Sequence, residues 1–224
     1  MPSSGRGVRV PDGPAPVTAP APRQALDAAQ RWTDVALVLA ALPVWLPVLG
    51  AALAVTRLSN RGPFLFHQRR MGRDGRPFTI HKIRTMRSGI APPSGALFAG
   101  WTYAGDPRVT RSGGFLRRYR LDELPQLWNV LCGDMNLVGP RPEPWEIAQR
   151  LGGELPGYHQ RHTVRPGLTG LCQISPAYRD FGTLEKSGRK LAYDLEYVQT
   201  RSARLNAWIL YRTVAVVCQG EGMA

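Results

Sequence analysis

The longest apolar stretch of this chain runs from Val35 to Val55 and reads VALVLAALPVWLPVLGAALAV, 21 residues without a charge. A helix rising about 1.5 Å per residue would carry that run through a bilayer core. Two features argue against a simple crossing. Pro43 and Pro47 lie near its middle, where each proline removes a backbone hydrogen bond and crowds the preceding turn. Both flanks are basic, with Arg23 and Arg31 before the run and Arg57, Arg61, Arg69 and Arg70 after it. Positive flanks favour the cytoplasmic side. The pattern therefore predicts a proline-broken, re-entrant helix that dips into the membrane and returns. A cleavable signal peptide fits poorly, because Arg57 follows the run and no small-residue cleavage site does. A buried core helix would need a larger soluble domain.

Downstream, two apolar-rich runs in PFLFHQRRMGRDGRPFTIHKIRTM, residues 63–86, flank an Asp-Gly turn signal at Asp74-Gly75. They predict a β-hairpin whose second strand delivers Lys82 and Arg84. Residues 88–107 read as a loop, and Phe115 to Tyr119 as a short basic helix. Leu124, Leu127, Trp128 and Leu131 recur at helical spacing, with Asp122 at the N-cap and Pro125 in the first turn. VGPRPEP is a rigid extended turn, and Arg165-Pro166-Gly167 is another. Residues 184–200 and 203–218 read as helices. The second is apolar-rich but interrupted by Arg204 and Arg212, as suits an amphipathic helix on a membrane surface. Residues 1–22, with six prolines and few bulky apolar side chains, predict a disordered tail. The expected fold class is α+β, mainly helical. It comprises the tail, a re-entrant membrane helix over 23–58, and a compact cytoplasmic catalytic domain over 59–224 with a small hairpin and membrane-surface helices.

Charge narrows the partners. The chain carries 29 Lys+Arg against 16 Asp+Glu, a formal net charge of +13, which draws nucleic acid, acidic headgroups or phosphorylated substrates. Arginine supplies nearly all of it, and its planar fork grips phosphate bidentately. Aromatic residues are not interleaved with the basic ones in a base-stacking pattern, so no nucleic-acid partner is expected. Cys132, Cys172 and Cys218 form no close pair, which suits a reducing compartment. His159-x-x-His162 has a metal-like spacing without a completing ligand, and surface histidines are expected there.

The candidate chemistry lies in RLDELPQLWNVLCGDMNLVGPRP, residues 120–142. As an isolated dipeptide Asp122-Glu123 is an ordinary helix start. A carboxylate at such a start is held ionised by the free N–H groups and by nearby arginines. It is then a usable nucleophile toward phosphorus or an anomeric carbon, and adjacent carboxylates suit Mg²⁺. Arg117, Arg118 and Arg120 precede the pair, while Arg141 and Arg165 sit in proline turns. An anion approaching a diphosphate meets about 4 kcal/mol of repulsion per charge pair at ~4 Å. Arginines on rigid turns and a divalent cation would offset it.

LDELPQLWNVLCGDMNLVGPRPEP resembles the signature of bacterial sugar transferases, the monotopic polyprenyl-phosphate phosphoglycosyl transferases. RWTD ahead of the apolar helix, GPFLFHQRRMGRDGRPFTIHKIRTM, VRPGLTGLCQ and LAYDLEYV are similar in order and spacing, so the resemblance runs from about Arg31 to the C-terminus. It implies transfer of a sugar 1-phosphate from a UDP-sugar to undecaprenyl phosphate on the cytoplasmic face of the bacterial inner membrane, starting polysaccharide or glycoconjugate synthesis. It implies that Asp122 attacks the β-phosphate and forms a covalent phosphosugar intermediate, that Glu123 helps to hold Mg²⁺, and that Lys82, Arg84, Arg117 and Arg141 contact phosphates. Pro47 matches the helix-breaking proline. Departures are Leu46 where the family often has Ser, Asn206 where it often has Asp, and QISPAYR after the Pro-Gly turn, where Arg179 stands in for an arginine two residues earlier. No multi-span region precedes the apolar helix, so a minimal catalytic unit is expected. Donor specificity is expected in residues 88–107 and 174–186. The competing reading is a non-enzymatic basic protein that binds a membrane surface or nucleic acid.

Overall fold

The computed structural model describes residues 24–59, 62–87, 106–175 and 183–220. The expected tail, most of the loop at 88–107, and Arg179 lie outside these residues. The described chain is mainly helical. Two helices come first, α1 (Gln24–Ala40) and α2 (Leu42–Ser59), followed by an antiparallel hairpin of β1 (Leu65–Met71) and β2 (Pro77–Ile83). Then come α3 (Arg111–Arg118), α4 (Gln126–Cys132), β3 (Asn136–Val138), α5 (Trp145–Glu154) and β4 (Gly167–Thr169). The long helices α6 (Leu184–Thr200) and α7 (Ala203–Cys218) close the chain at the bounds the apolar spacing predicts.

The apolar run is broken at Ala41, not at Pro47, which lies inside α2. Pro43 falls in the first turn of α2, where its missing N–H has no helical partner to lose. The Ala41 carbonyl accepts from both Val44 and Trp45, and Trp45 Nε1 reaches back to the Val38 carbonyl at 2.9 Å. α2 is long and apolar enough to cross a membrane by length and composition, and little of it is buried. α1 differs, because it buries Gln30, Asp34 and Val38 along one face. Gln30 Nε2 donates to the Val138 carbonyl at 2.8 Å and the Leu137 N–H donates to Asp34 at 3.0 Å. Arg31 donates to the carbonyls of Val130 and Leu131 at the end of α4. Asp27 pairs with Arg73 and Arg201.

The hairpin turns through Asp74 and Gly75, both at positive φ (55° and 71°), as an Asp-Gly type I′ signal requires. α3 starts earlier than the sequence pattern suggests, because the Thr110 side chain accepts from the Gly113 N–H and caps it. α4 starts later, at Gln126, with Pro125 at its N-cap. Its core face carries Leu127 and Val130, while Trp128, expected on that face, is 60% exposed. α5 was not legible in the sequence pattern, nor was the parallel pairing of β3 with β4. That pairing joins the two proline turns. A Cβ on Gly139 would lie 2.6 Å from the Arg165 carbonyl oxygen, and one on Gly167 would lie 2.0 Å from the Gly139 nitrogen. Only glycines permit so close a backbone approach. The main core, around Val130, Met135, Val138, Tyr197 and Ile209, sits beneath this junction. A second, around Met71, Ile147, Leu151 and Leu195, fills the space between α5 and α6.

Candidate active site

Between α3 and α4 the chain makes a single 3-10 turn, Leu121–Glu123, which holds both carboxylates. Arg120 precedes it in the left-handed region at φ 53°, a conformation that costs a non-glycine residue roughly 1 kcal/mol. Asp122 is therefore not the N-cap of α4, and both dyad members are 8% exposed. Three elements bring cations to them. Lys82, near the end of β2, places Nζ 3.0 Å from Glu123 Oε1. Arg141, on the Gly139–Pro144 turn after β3, places Nη2 2.5 Å from the same oxygen and Nη1 3.5 Å from Oε2. Arg117, in the last turn of α3, is fixed by a 2.7 Å bond from Nε to Thr85 Oγ1 and feels the charge of Asp122.

These contacts split the pair. Burial disfavours ionisation of Glu123, but Arg141 and Lys82 outweigh it and hold the carboxyl well below its ordinary range. Asp122 goes the other way. Burial and then the Glu123 charge push it up, while Lys82, Arg117 and Arg141 pull only partly against them. The expectation of an Asp122 stabilised by a helix start is thus corrected, since its ionisation depends on side-chain cations. Burial also pushes Lys82 and Arg117 down, against the pull of the carboxylates. Adjacent carboxyls with opposed shifts are suited to different tasks, one to steady charge and one to react.

Of the other residues singled out in the sequence, Arg84 directly follows β2 and its N–H donates to the Phe64 carbonyl at 2.8 Å. Arg165 is not brought to the dyad. Burial lowers its pKa, and its charged neighbours are Arg73, Arg31, Asp27 and Asp34, beside α1. The backbones of the two proline turns meet while their arginines point to different clusters. His159 is exposed, but His162 is not the surface residue expected. It packs its ring 5.5 Å from that of Tyr158, and burial followed by the Arg161 charge pushes it down to about 3.

The sequence pattern assigns Arg70 only to the basic flank of the apolar run and gives Thr85 no role, yet both support the site. Arg70 Nη1 donates to the Pro142 carbonyl at 2.7 Å and so braces the turn carrying Arg141. The position of Arg70 opposite Phe78 in the hairpin is a register fact that no local pattern shows.

Mg²⁺ can be tested against these oxygens. Glu123 Oε1 already accepts from two donors, whereas among the described residues Oε2 has only the 3.5 Å contact, so a cation has lone pairs to use there. Among the described residues no three His, Cys, Asp or Glu side chains cluster for a metal ion. Mg²⁺ does not need such a cluster, because it takes one or two carboxylates and completes its shell with water and phosphate. The residues fit.

The bacterial sugar transferase family model matches residues 25–220. The chain is 40% identical over 195 residues to the UDP-glucose:undecaprenyl-phosphate glucose-1-phosphate transferase of Caulobacter vibrioides, covering 87% of this chain and 72% of that protein. It is 39% identical over 199 residues to the exopolysaccharide production protein PSS of Rhizobium leguminosarum bv. phaseoli, covering 86% and 97%. It is 36% identical over 193 residues to the UDP-N-acetylgalactosamine-undecaprenyl-phosphate N-acetylgalactosaminephosphotransferase of Aeromonas hydrophila, covering 86% of this chain but only 44% of that larger protein.

Proposed function

The chain belongs to the bacterial sugar transferase family, and on that premise we propose that it moves a sugar 1-phosphate from a UDP-sugar to undecaprenyl phosphate. The single observation that carries the reading is the buried dyad ringed by Lys82, Arg117 and Arg141. A basic protein that only binds a surface has no use for two buried carboxylates facing three cations.

Asp122 is the nucleophile. Its carboxylate oxygen attacks the phosphorus that bears the sugar, and the bridging P–O bond breaks with its electron pair on the departing UMP. An oxygen of the lipid phosphate then attacks the same phosphorus, and the aspartyl–phosphate bond breaks to regenerate the carboxylate. Lys82, Arg117 and Arg141 stabilise charge on the transferring phosphoryl oxygens, with Arg84 alongside. Glu123, fixed by Lys82 and Arg141, keeps an anion at the dyad without competing as nucleophile. When bound, Mg²⁺ held by Glu123 and the donor phosphates would neutralise negative charge on the diphosphate.

The membrane reading follows from the same chain. Basic flanks on both sides of the apolar run and the break at Ala41 support an α1–α2 pair that enters and leaves one membrane face. That face is cytoplasmic, where the donor nucleotide is available. Trp208, Tyr211 and Val214 of α7 are exposed and suit the interfacial region of a bilayer.

The test is UMP release from a panel of UDP-sugars, with and without undecaprenyl phosphate. Exchange of labelled UMP into UDP-sugar without lipid is expected only for the covalent route. Asp122→Asn should abolish both release and exchange, and full activity in that variant would remove Asp122 from the mechanism.

A further inference from the structure

One set of buried charges beside the Gly139–Pro144 turn has no part in the reaction above. Arg161, in the 3-10 turn Tyr158–Thr163, is 4% exposed, and Asp194, within α6, is 5% exposed. Arg161 Nη2 lies 2.7 Å from Asp194 Oδ2 and 2.6 Å from the carbonyl oxygen of Arg141. Its Nη1 donates to the Tyr158 hydroxyl at 2.9 Å, and its guanidinium lies 5.2 Å from the centre of that ring. One fork thus joins α6, its own turn and the main chain of the residue whose side chain grips Glu123. Buried ion pairs are poor net stabilisers compared with apolar packing. What this one supplies is direction, since a planar guanidinium holds several acceptors at fixed angles as no ammonium can.

We infer that Arg161, anchored by Asp194, is a positioning residue that sets Arg141 against Glu123. The inference rests on the transferase reading. The physical chain is continuous: Asp194 carboxylate, Arg161 guanidinium, Arg141 carbonyl, Arg141 guanidinium, Glu123 carboxylate. Arg70 holds the next carbonyl, that of Pro142, so the turn is fixed at two adjacent points. Without the Arg161 contact the Arg141 carbonyl loses a charge-assisted bond and the turn relaxes. Arg141 then withdraws from the dyad, and Glu123 keeps Lys82 as its direct partner among the described residues.

The dyad faces Lys82 from β2, Arg117 from α3, Arg120 from the turn start and Arg141. Arg161 faces Asp194 and Lys190 from α6, Glu143 from the proline turn, and Tyr158 and His162 from its own turn. Moving Arg141 away from the dyad takes a cation from the charge that develops on the transferring phosphoryl oxygens, so kcat per folded molecule must fall more than KM rises. A purely structural role would lower the amount of folded enzyme and leave kcat per folded molecule in place.

The experiment measures kcat and KM, each per folded molecule, for the chain in lipid nanodiscs. Arg161→Lys and Asp194→Asn are set against Leu195→Ala, a core truncation on the same helix. Folded protein is quantified by active-site-independent melting. For both test variants the expected result is a fall in kcat of roughly ten- to a hundredfold, the scale of an ångström-level misplacement, with KM changed by much less. Leu195→Ala should lose stability with kcat per folded molecule unchanged. A wild-type kcat per folded molecule in either test variant would overturn the inference. So would failure of both variants to fold, because the pair would then be scaffold. If wild-type enzyme releases no UMP from any UDP-sugar, the transferase reading fails instead, which separates the two failures.

Discussion

Asp34 predicts a stabilising substitution at a buried ionisable site. It precedes the uncharged run on α1, is 3% exposed, accepts from the Leu137 N–H at 3.0 Å, and is pushed up to about 6 by burial despite that bond and the charges of Arg31 and Arg165. A carboxyl whose folded value lies above its unfolded value binds its proton more tightly when folded. Its contribution to stability is full below the unfolded value, declines as pH rises, and is gone above the folded one. The window is therefore pH 4 to 6. The gap between the ordinary 3.8 and about 6 corresponds to about 3 kcal/mol, at 1.36 kcal/mol per pH unit. Asp34→Asn keeps an oxygen for the Leu137 N–H and removes the titration. At pH 8 the variant should be more stable by up to about 3 kcal/mol, or some 6–12 °C in Tm for a chain of this size. At pH 4.5 most of that gain should vanish. The assay is the difference between variant and wild-type melting curves across pH in nanodiscs. Taking the difference removes Asp194, which burial also pushes up to about 6. A variant less stable than wild type at pH 8, or a difference that does not change with pH, would refute the reasoning.

Gly167→Ala sets a methyl group against the Gly139 backbone, where nothing flexible can yield, and should cost at least about 3 kcal/mol or prevent folding; near-wild-type urea stability would contradict the close approach. In a background cleared of native cysteines, Ala28→Cys, near the start of α1, and Ser59→Cys, at the end of α2, both exposed, should react with an impermeant maleimide from the same side of a sealed vesicle, whereas opposite-side labelling would mean a true crossing.

Periodicity and turn chemistry carried much of the fold. α6 and α7 have the expected bounds because each opens with a Thr or Ser cap followed by a helical pattern. The hairpin was legible because Asp-Gly demands two residues at positive φ. Other features depended on distant partners. The helix break moved to Ala41 because a first-turn proline starts a helix more easily than a mid-run proline ends one. The β3–β4 pair spans two three-residue strands joined through glycines, too short for any alternation to announce. In the site, Lys82, Arg117 and Arg141 stood in recognisable motifs and do converge, whereas Arg165 looked equivalent and turned to α1. A motif ranks side chains by type, but which way a turn presents its arginine is decided by packing between elements far apart in sequence.

The seam that docks α1 has an evolutionary consequence. Gln30, Arg31 and Asp34 meet Val138, Val130, Leu131 and Leu137 through peptide groups, not through their side chains. A side-chain substitution in the partner segments leaves those amides and carbonyls behind, so the hydrogen bonds outlast it, and what it disturbs is the packing of Val130, Leu137 and Val138 with Val38. The two sides are therefore constrained differently. On α1 three polar residues must keep their hydrogen-bonding chemistry, while α4 and β3 must keep apolar volume.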